Sequence, residues 1–271
     1  MTGSTLTNAA RRVLTTPEAR HKAAAAQRLA ADWRSGTFPA LGSPGAPARP
    51  ARPDRPELLA PTQVPRRRIN TAVAGRVALL HALAHIELNA VDLAVDLLAR
   101  FASDDLPNAF IEDWLQVAEE EGKHFLLLAD RLAELGAAYG DLPAHDGLWQ
   151  AAEETAHDLL ARLAVVPQVL EARGLDVTPG MIAKLDQVGD PASAAILRTI
   201  YEEEIGHVAI GRRWYLWLCT RRGLDPQATW HELVRRHFRG ALKPPFNEAA
   251  RRTAGLEPAD YLPLAVERQM P

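Results

Sequence analysis

Glu119-Glu120-Glu121-Gly122-Lys123-His124 and Glu202-Glu203-Glu204-Ile205-Gly206-His207 are two versions of one pattern. In each, a glutamate stands three residues before a histidine. On a helix that spacing places both on one face. The apolar neighbours say which face: Val117, Ala118, Phe125 and Leu128 flank the first pair, and Ile200, Val208 and Gly211 the second. Both pairs are therefore expected to point into a helical core. A carboxylate buried alone is costly, so something must compensate it. Carboxylate oxygens and imidazole nitrogens together suit iron or manganese. Two such pairs, plus one glutamate from each of two further helices, make the di-metal site of carboxylate helical bundles.

The two further glutamates follow from spacing. Ligands at one height on antiparallel neighbours are equidistant from the turn between them. Apolar periodicity predicts a helix over 71–101, with Leu80, Ala84, Val91, Ala94 and Leu98 in its stripe. A turn follows at Ser103–Pro107, then a second helix over 109–135 that stops at Gly136. The first of these helices holds one glutamate, Glu87, 34 residues before Glu121, and their midpoint falls at Asp104 in the turn. Glu171 stands 33 residues before Glu204, with the midpoint near Val188. Asp190-Pro191, a cap followed by a first-turn proline, opens the helix that carries Glu204 and runs to about Arg222. The helix that carries Glu171 is expected to begin near Leu148 with Asp146 as cap, to carry Pro167, and to be interrupted at Gly174–Gly180. Four glutamates offset two divalent ions. The candidate metal ligands are Glu87, Glu121, His124, Glu171, Glu204 and His207.

Single Glu-x-x-His pairs are weak signals. Glu18/His21 shows the same spacing and reads as a solvated face near the terminus. Glu154/His157 is the rival to Glu171 on the third helix, some 14 to 17 residues earlier. Tyr201, one turn before Glu204, is a candidate catalytic proton or electron donor, with a core tyrosine as the alternative. His81 and His85 read as packing or hydrogen-bonding groups, because His85 lies about 200° round the helix from Glu87. His145 and Asp146 lie in the irregular crossover 137–147. Arg66-Arg67-Arg68 and the pairs Arg212-Arg213, Arg221-Arg222 and Arg235-Arg236 read as solvated faces.

The rest of the chain fits an all-α protein. Of 271 residues, 47% are hydrophobic and 24% charged, which excludes a mainly disordered chain. The net charge of -3 and pI near 6.3 give no global basic field for nucleic acid or an anionic membrane. One cysteine, Cys219, excludes an intramolecular disulfide framework and a Cys-rich zinc site. No secretory leader pattern opens the chain, and no uncharged run reaches the ~18 residues of a membrane span, so a reducing cytoplasm is expected. The organisation expected is an amino-terminal helical segment (1–37, its helix from Pro17 capped by Thr16), a strap (38–68), the four-helix bundle (69–223), and a last helix with tail (224–271). In the strap Pro47, Pro50, Pro53 and Pro56 recur at the polyproline period. The last helix opens at Asp225-Pro226 and is expected to end at Gly240.

Several stretches carry a resemblance: His81-Ala-Leu-Ala-His-Ile-Glu87, Asp113-Trp-Leu-Gln-Val-Ala-Glu-Glu-Glu-Gly-Lys-His124, Tyr139-Gly-Asp-Leu-Pro-Ala-His-Asp-Gly-Leu-Trp149, Glu171-Ala-Arg-Gly-Leu-Asp-Val-Thr-Pro179 and Glu203-Glu-Ile-Gly-His-Val-Ala-Ile-Gly211. From about Arg49 to Cys219 the chain resembles a bacterial ferritin-like family, the domain of unknown function numbered 455. More distantly it is similar to the ferritin-like tRNA hydroxylases. The resemblance implies a ferritin-like four-helix bundle and a di-iron site on the six residues above, with no established reaction. The expected function is an O2-dependent oxidoreductase holding two Fe ions (or Mn) and acting on a small molecule or modified nucleoside. The alternatives are a non-catalytic iron-binding or detoxification protein and a structural bundle. No membrane partner is expected, nucleic acid is disfavoured but left open, and the expected assembly is a small homo-oligomer.

Overall fold

The computed structural model describes residues 5–60, 62–64 and 71–265. All regular structure in them is helical; two isolated backbone bridges, Leu58 with Ala144 and Leu242 with Ala265, are the other ladder-type pairings found. The Arg66-Arg67-Arg68 run, the end of the strap from Pro65 and the tail beyond Ala265 lie outside the described residues. The chain divides into two compact units, residues up to Gln150 with Lys184–Ile196, and Ala151–Ala183 with Leu197 onward.

The first unit is built on a long hairpin. Helices α1 (Leu6–Leu14) and α2 (Ala19–Arg34) precede α3 (Val73–Phe101) and α4 (Asn108–Glu134). The helix α1 is an addition to the single amino-terminal helix that the sequence predicts. Its N-terminus is capped by Thr5, whose hydroxyl accepts from Asn8 N. Nor does Thr16 cap α2: the carboxylate of Glu18 accepts from Arg20 N and His21 N at 3.0 and 2.6 Å, so the helix starts two residues later than Pro17. A carboxylate reaches two free N–H groups where a hydroxyl reaches one, and it complements the helix dipole. The expected helices over 71–101 and 109–135 are α3 and α4, within two residues at each end.

The helix α3 has a mean hydropathy of 1.3 over eighteen residues, enough by length and composition to cross a membrane, but 78% of that window is buried inside the protein. Its length is explained by what packs on it. The α3 helix pairs with α4, α1 packs on α3, and α2 lies across α4. Gly122 lets α2 come close: a Cβ there would meet the Ala23 carbonyl oxygen at 2.7 Å. The strap, as far as it is described, is non-helical and stitched down. Leu6 N and Thr7 N donate to Ala40 O and Leu41 O, Ala51 N to Leu14 O, and Leu59 N to Ala144 O. Gly42 sits at φ +87°, and a Cβ there would collide with Thr5, so only glycine fits.

In the second unit the third expected helix is broken differently. The breaks do not fall at Gly174–Gly180. Helices α5 (Gly147–Glu154) and α6 (Leu159–Val165) are separated at Thr155–Asp158. Thr155 Oγ1 turns back to Ala151 O, Asp158 caps Leu160 N, and buried Arg162 donates to Thr155 Oγ1 and Ala152 O. A π-helical turn, Val166–Glu171, follows, and α7 (Ala172–Gln187) then runs through Gly174, Pro179 and Gly180. Pro167 causes the turn. It brings no N–H to the Leu163 carbonyl, which accepts from Gln168 Nε2 at 2.9 Å instead. The Pro167 ring sits against Gly211, where a Cβ would come within 2.2 Å of it.

The α8 helix (Pro191–Arg222) is the longest, and α9 (Pro226–His237) follows it, capped by Asp225, which accepts from Ala228 N at 2.7 Å. The helix ends at His237 rather than at Gly240. Trp230 of α9 donates to Ala164 O and binds it to α6. The tail adds α10 (Glu248–Thr253) and α11 (Pro258–Tyr261). Arg251 anchors it, buried with its guanidinium against the rings of both Phe246 and Tyr261 and paired twice to Asp176 at 2.8 Å.

Candidate metal site

Glu87 on α3 and Glu121 and His124 on α4 are all buried, the last two completely. Halfway between positions 87 and 124 lies the α3–α4 turn, as an antiparallel hairpin requires. His124 Nδ1 stands 3.4 Å from Glu87 Oε2 and 3.5 Å from Glu121 Oε2. Burial opposes a charge on this imidazole, but hydrogen bonding to Glu121 and Glu87 outweighs it and raises the His124 pKa well above its ordinary value. Two carboxylates and an imidazole thus share one dry space.

Glu204 of α8 belongs to the same group. One ligand atom from each of Glu87, Glu121, His124 and Glu204 lies within 4.8 Å of every other, and the four can hold a metal ion. His207 is buried on α8, its Nδ1 3.7 Å from Glu204 Oε1. It stands outside the group of four, as does Glu171. Glu171 closes the π-helical turn and is half-buried. Turns of this kind recur at functional sites because they re-aim the side chains next to them. Its sequence rival is occupied elsewhere: Glu154 pairs with Arg239, and the His157 ring lies 5.3 Å from that of His237. Glu18, the cap of α2, is 3.3 Å from exposed His21. The Tyr201 hydroxyl accepts from Asn247 Nδ2 at 2.9 Å.

His81 and His85 form hydrogen bonds, as the sequence suggests, and belong to a longer polar row on α3 that the sequence reading did not single out. His81, His85, Asn89, Asp92 and Asp96 recur at helical spacing and are all buried. The row fastens the strap and the crossover. Lys22 donates to Asp92 at 2.6 Å, Arg52 to Asn89 at 2.6 Å, and Arg100 to Asp96 and to Pro47 O. His81 Nε2 accepts from Gly140 N. Burial lowers the His85 pKa to about 4, against the pull of the His145 carbonyl. Neutral His85 therefore donates from Nε2 to His145 O and accepts the Tyr139 hydroxyl at Nδ1. The visible signal was five polar residues on one face of an otherwise apolar helix. Asp146 of the crossover meets Arg49 of the strap.

At the start of α8, Asp190 accepts from Ser193 N, Arg131 and Arg76, at 3.1, 2.8 and 3.1 Å. This ties the first turn of the Glu204 helix to α3 and α4.

A protein from Haemophilus influenzae that bears only the description "Uncharacterized protein" is 47% identical over 203 residues, covering 73% of this chain and 70% of the relative. No solved structure matches the chain significantly. The family model described as protein of unknown function (DUF455) matches residues 15–262, which includes every candidate ligand above. The chain belongs to that family.

Proposed function

We propose that the protein is a ferritin-like di-iron carboxylate protein and an O2-dependent oxidoreductase, its substrate a small molecule or modified nucleoside. The observation that carries the reading is the buried convergence of Glu87, Glu121, His124 and Glu204. The donor set fits the group: oxygen and nitrogen atoms without thiolate suit iron or manganese better than a soft metal. Glu171 and His207 complete the proposed set, because they repeat in the second half of the chain the spacing that Glu87 and His124 have in the first. Bound ferrous ions would supply the electrons for dioxygen reduction. The chain's own part is to hold four carboxylates and two imidazoles out of water, on helices whose packing fixes their height. Tyr201, held by Asn247, is the proposed proton or electron donor beside that set.

The test is metal analysis after anaerobic loading with ferrous ion, followed by oxygen exposure under optical spectroscopy. The wild type is expected to hold about two irons per chain and to change its absorption on oxygenation. Glu121→Ala and Glu204→Ala are each expected to lose the iron. A wild type that holds no more iron or manganese than Glu204→Ala overturns the reading. Iron that is bound and oxidised with no candidate substrate consumed leaves iron detoxification as the function.

A further inference from the structure

A cleft of about 280 Å³ opens in the first unit between the start of α2, one face of α4 and the strap. Its floor is aromatic. Phe125 and Tyr139 meet edge to face with ring centres 5.2 Å apart. Tyr139 also stacks on His81 at 5.3 Å, and its hydroxyl is fastened to His85 at 2.9 Å. The floor is thus fixed before any ligand arrives, which removes an ordering cost from binding. Ala129 and Ala133, one turn apart on α4, leave the space that larger side chains would fill.

Three charged residues line the cleft, and they are not equivalent. The Glu18 carboxylate is engaged by the first N–H groups of α2. Arg20 is held by Asp130 at 2.7 Å. Arg55 is exposed, and among the described residues its guanidinium has no ion-pair or hydrogen-bond partner. The uncommitted charge is therefore a cation beside an aromatic floor.

We propose that this cleft binds a small monocarboxylate with an aromatic body, its ring against Phe125 and Tyr139 and its carboxylate on Arg55. Guanidinium and carboxylate match in planar, two-point geometry, and aromatic rings prefer edge-to-face or offset contact. No candidate metal ligand lines the cleft, so the inference stands apart from the iron reading and is testable on metal-free protein.

The experiment is titration of the full-length, metal-free chain with 3-phenylpropionate, read by calorimetry and by ligand-observed NMR. Saturable one-to-one binding is expected with Kd about millimolar, in line with the size of the ligand. Arg55→Gln is expected to weaken it at least about fivefold. The neutral 3-phenylpropan-1-ol and the aliphatic hexanoate should each bind at least about fivefold more weakly than the aromatic acid. Ala133→Leu should abolish binding by filling the cleft. Both substituted residues are exposed, and matched thermal melts check that the variants fold. Absence of binding to the wild type, or undiminished binding to Ala133→Leu, overturns the site. Equal affinity for the alcohol, or no effect of Arg55→Gln, overturns the carboxylate assignment; equal affinity for hexanoate overturns the aromatic one.

Discussion

The two Glu-x-x-His pairs are alike in sequence and unlike in setting. On α4, Glu121 and His124 are both fully buried, and the flank at Gly122 is closed by α2, whose Ala23 carbonyl would lie 2.7 Å from any Cβ. On α8, the Glu204 side chain is 13% exposed, and an added Cβ at Gly206 would meet nothing within 4 Å. The shared spacing sets which atoms can face one another. The flanking contacts set how tightly each pair is enclosed. A repeated motif therefore need not carry a repeated environment: the α4 pair has the wall of an added helix, and the α8 pair keeps an open flank.

The largest effect is expected where that wall is fastened. Lys22 of α2 and Asp92 of α3 are 1% and 0% exposed and meet at 2.6 Å. Burial lowers the Lys22 pKa and raises that of Asp92, while the attraction of each charge for the other works against both shifts. Among the described residues, Lys22→Met leaves Asp92 with Arg52 as its one cationic partner, 3.4 Å away. Breaking one side of a buried pair costs about 3–5 kcal/mol. Urea unfolding should report a loss of that size. A loss below about 1 kcal/mol, the range of exposed pairs, would mean that α2 is not held by this pair.

The second effect tests how α8 begins. Burial alone would raise the Asp190 pKa, but hydrogen bonds from Ser193 and the Arg131 guanidinium bring it below the ordinary carboxylate value. A carboxyl with a depressed folded pKa contributes stability above its unfolded value, about 4. That contribution is lost as pH falls through the folded pKa. Asp190→Asn is expected to cost about 1–3 kcal/mol at pH 7, the range of hydrogen bonds to charged groups. The difference from wild type should shrink below about pH 4. Melting curves at pH 7, 5 and 3 check this, and a pH-independent difference would assign the effect to shape rather than charge.

Much of this was legible in the sequence, for reasons that differ by element. The α3–α4 hairpin was readable because long amphipathic helices carry their period with them and because Glu87 and Glu121 straddle a Pro-containing turn. Symmetric spacing favoured Glu171 over Glu154, but the break that lies between them was not legible, since it is made by tertiary contacts. Arg162 bridging to Thr155, and Gln168 answering the carbonyl that Pro167 cannot, leave no periodic trace. Gly174, Pro179 and Gly180 read as breakers yet lie inside α7, where packing overrides propensity. The Lys22–Asp92 pair was hidden for a similar reason: a charge on an apolar helix reads as an interruption until its partner, 70 residues away, is known.

The third effect is at the closed flank. Alanine is intrinsically better than glycine in a helix by about 1 kcal/mol, but at Gly122 its methyl would press on backbone, which cannot swing aside. Overpacking of this kind costs about 1–3 kcal/mol. Gly122→Ala is expected to be net destabilising in urea and to lower iron retention, because α4 must shift from α2 beside Glu121. A neutral or stabilising result would show that the α2–α4 approach is loose.

The smallest effect is its counterpart, and it has the opposite sign. Gly206 lies mid-helix and exposed, with no positive φ and open space where a Cβ would go. Gly206→Ala therefore keeps the propensity gain with no contact to offset it. A gain of up to about 1 kcal/mol is expected, or about 2–4 °C in melting temperature for a chain in this size class. Iron content should stay at the wild-type level, since a methyl there points away from the helix face that carries Glu204 and His207. The paired measurement is sharper than either alone: one chemical change, at a glycine between the Glu and the His of each pair, should lower stability on α4 and raise it on α8. If both variants shift in the same direction, the two flanks are equivalent and the contrast between the closed and the open pair is wrong. If Gly206→Ala gains stability but loses iron, the flank at Gly206 is not open in solution but covered by something that must be displaced.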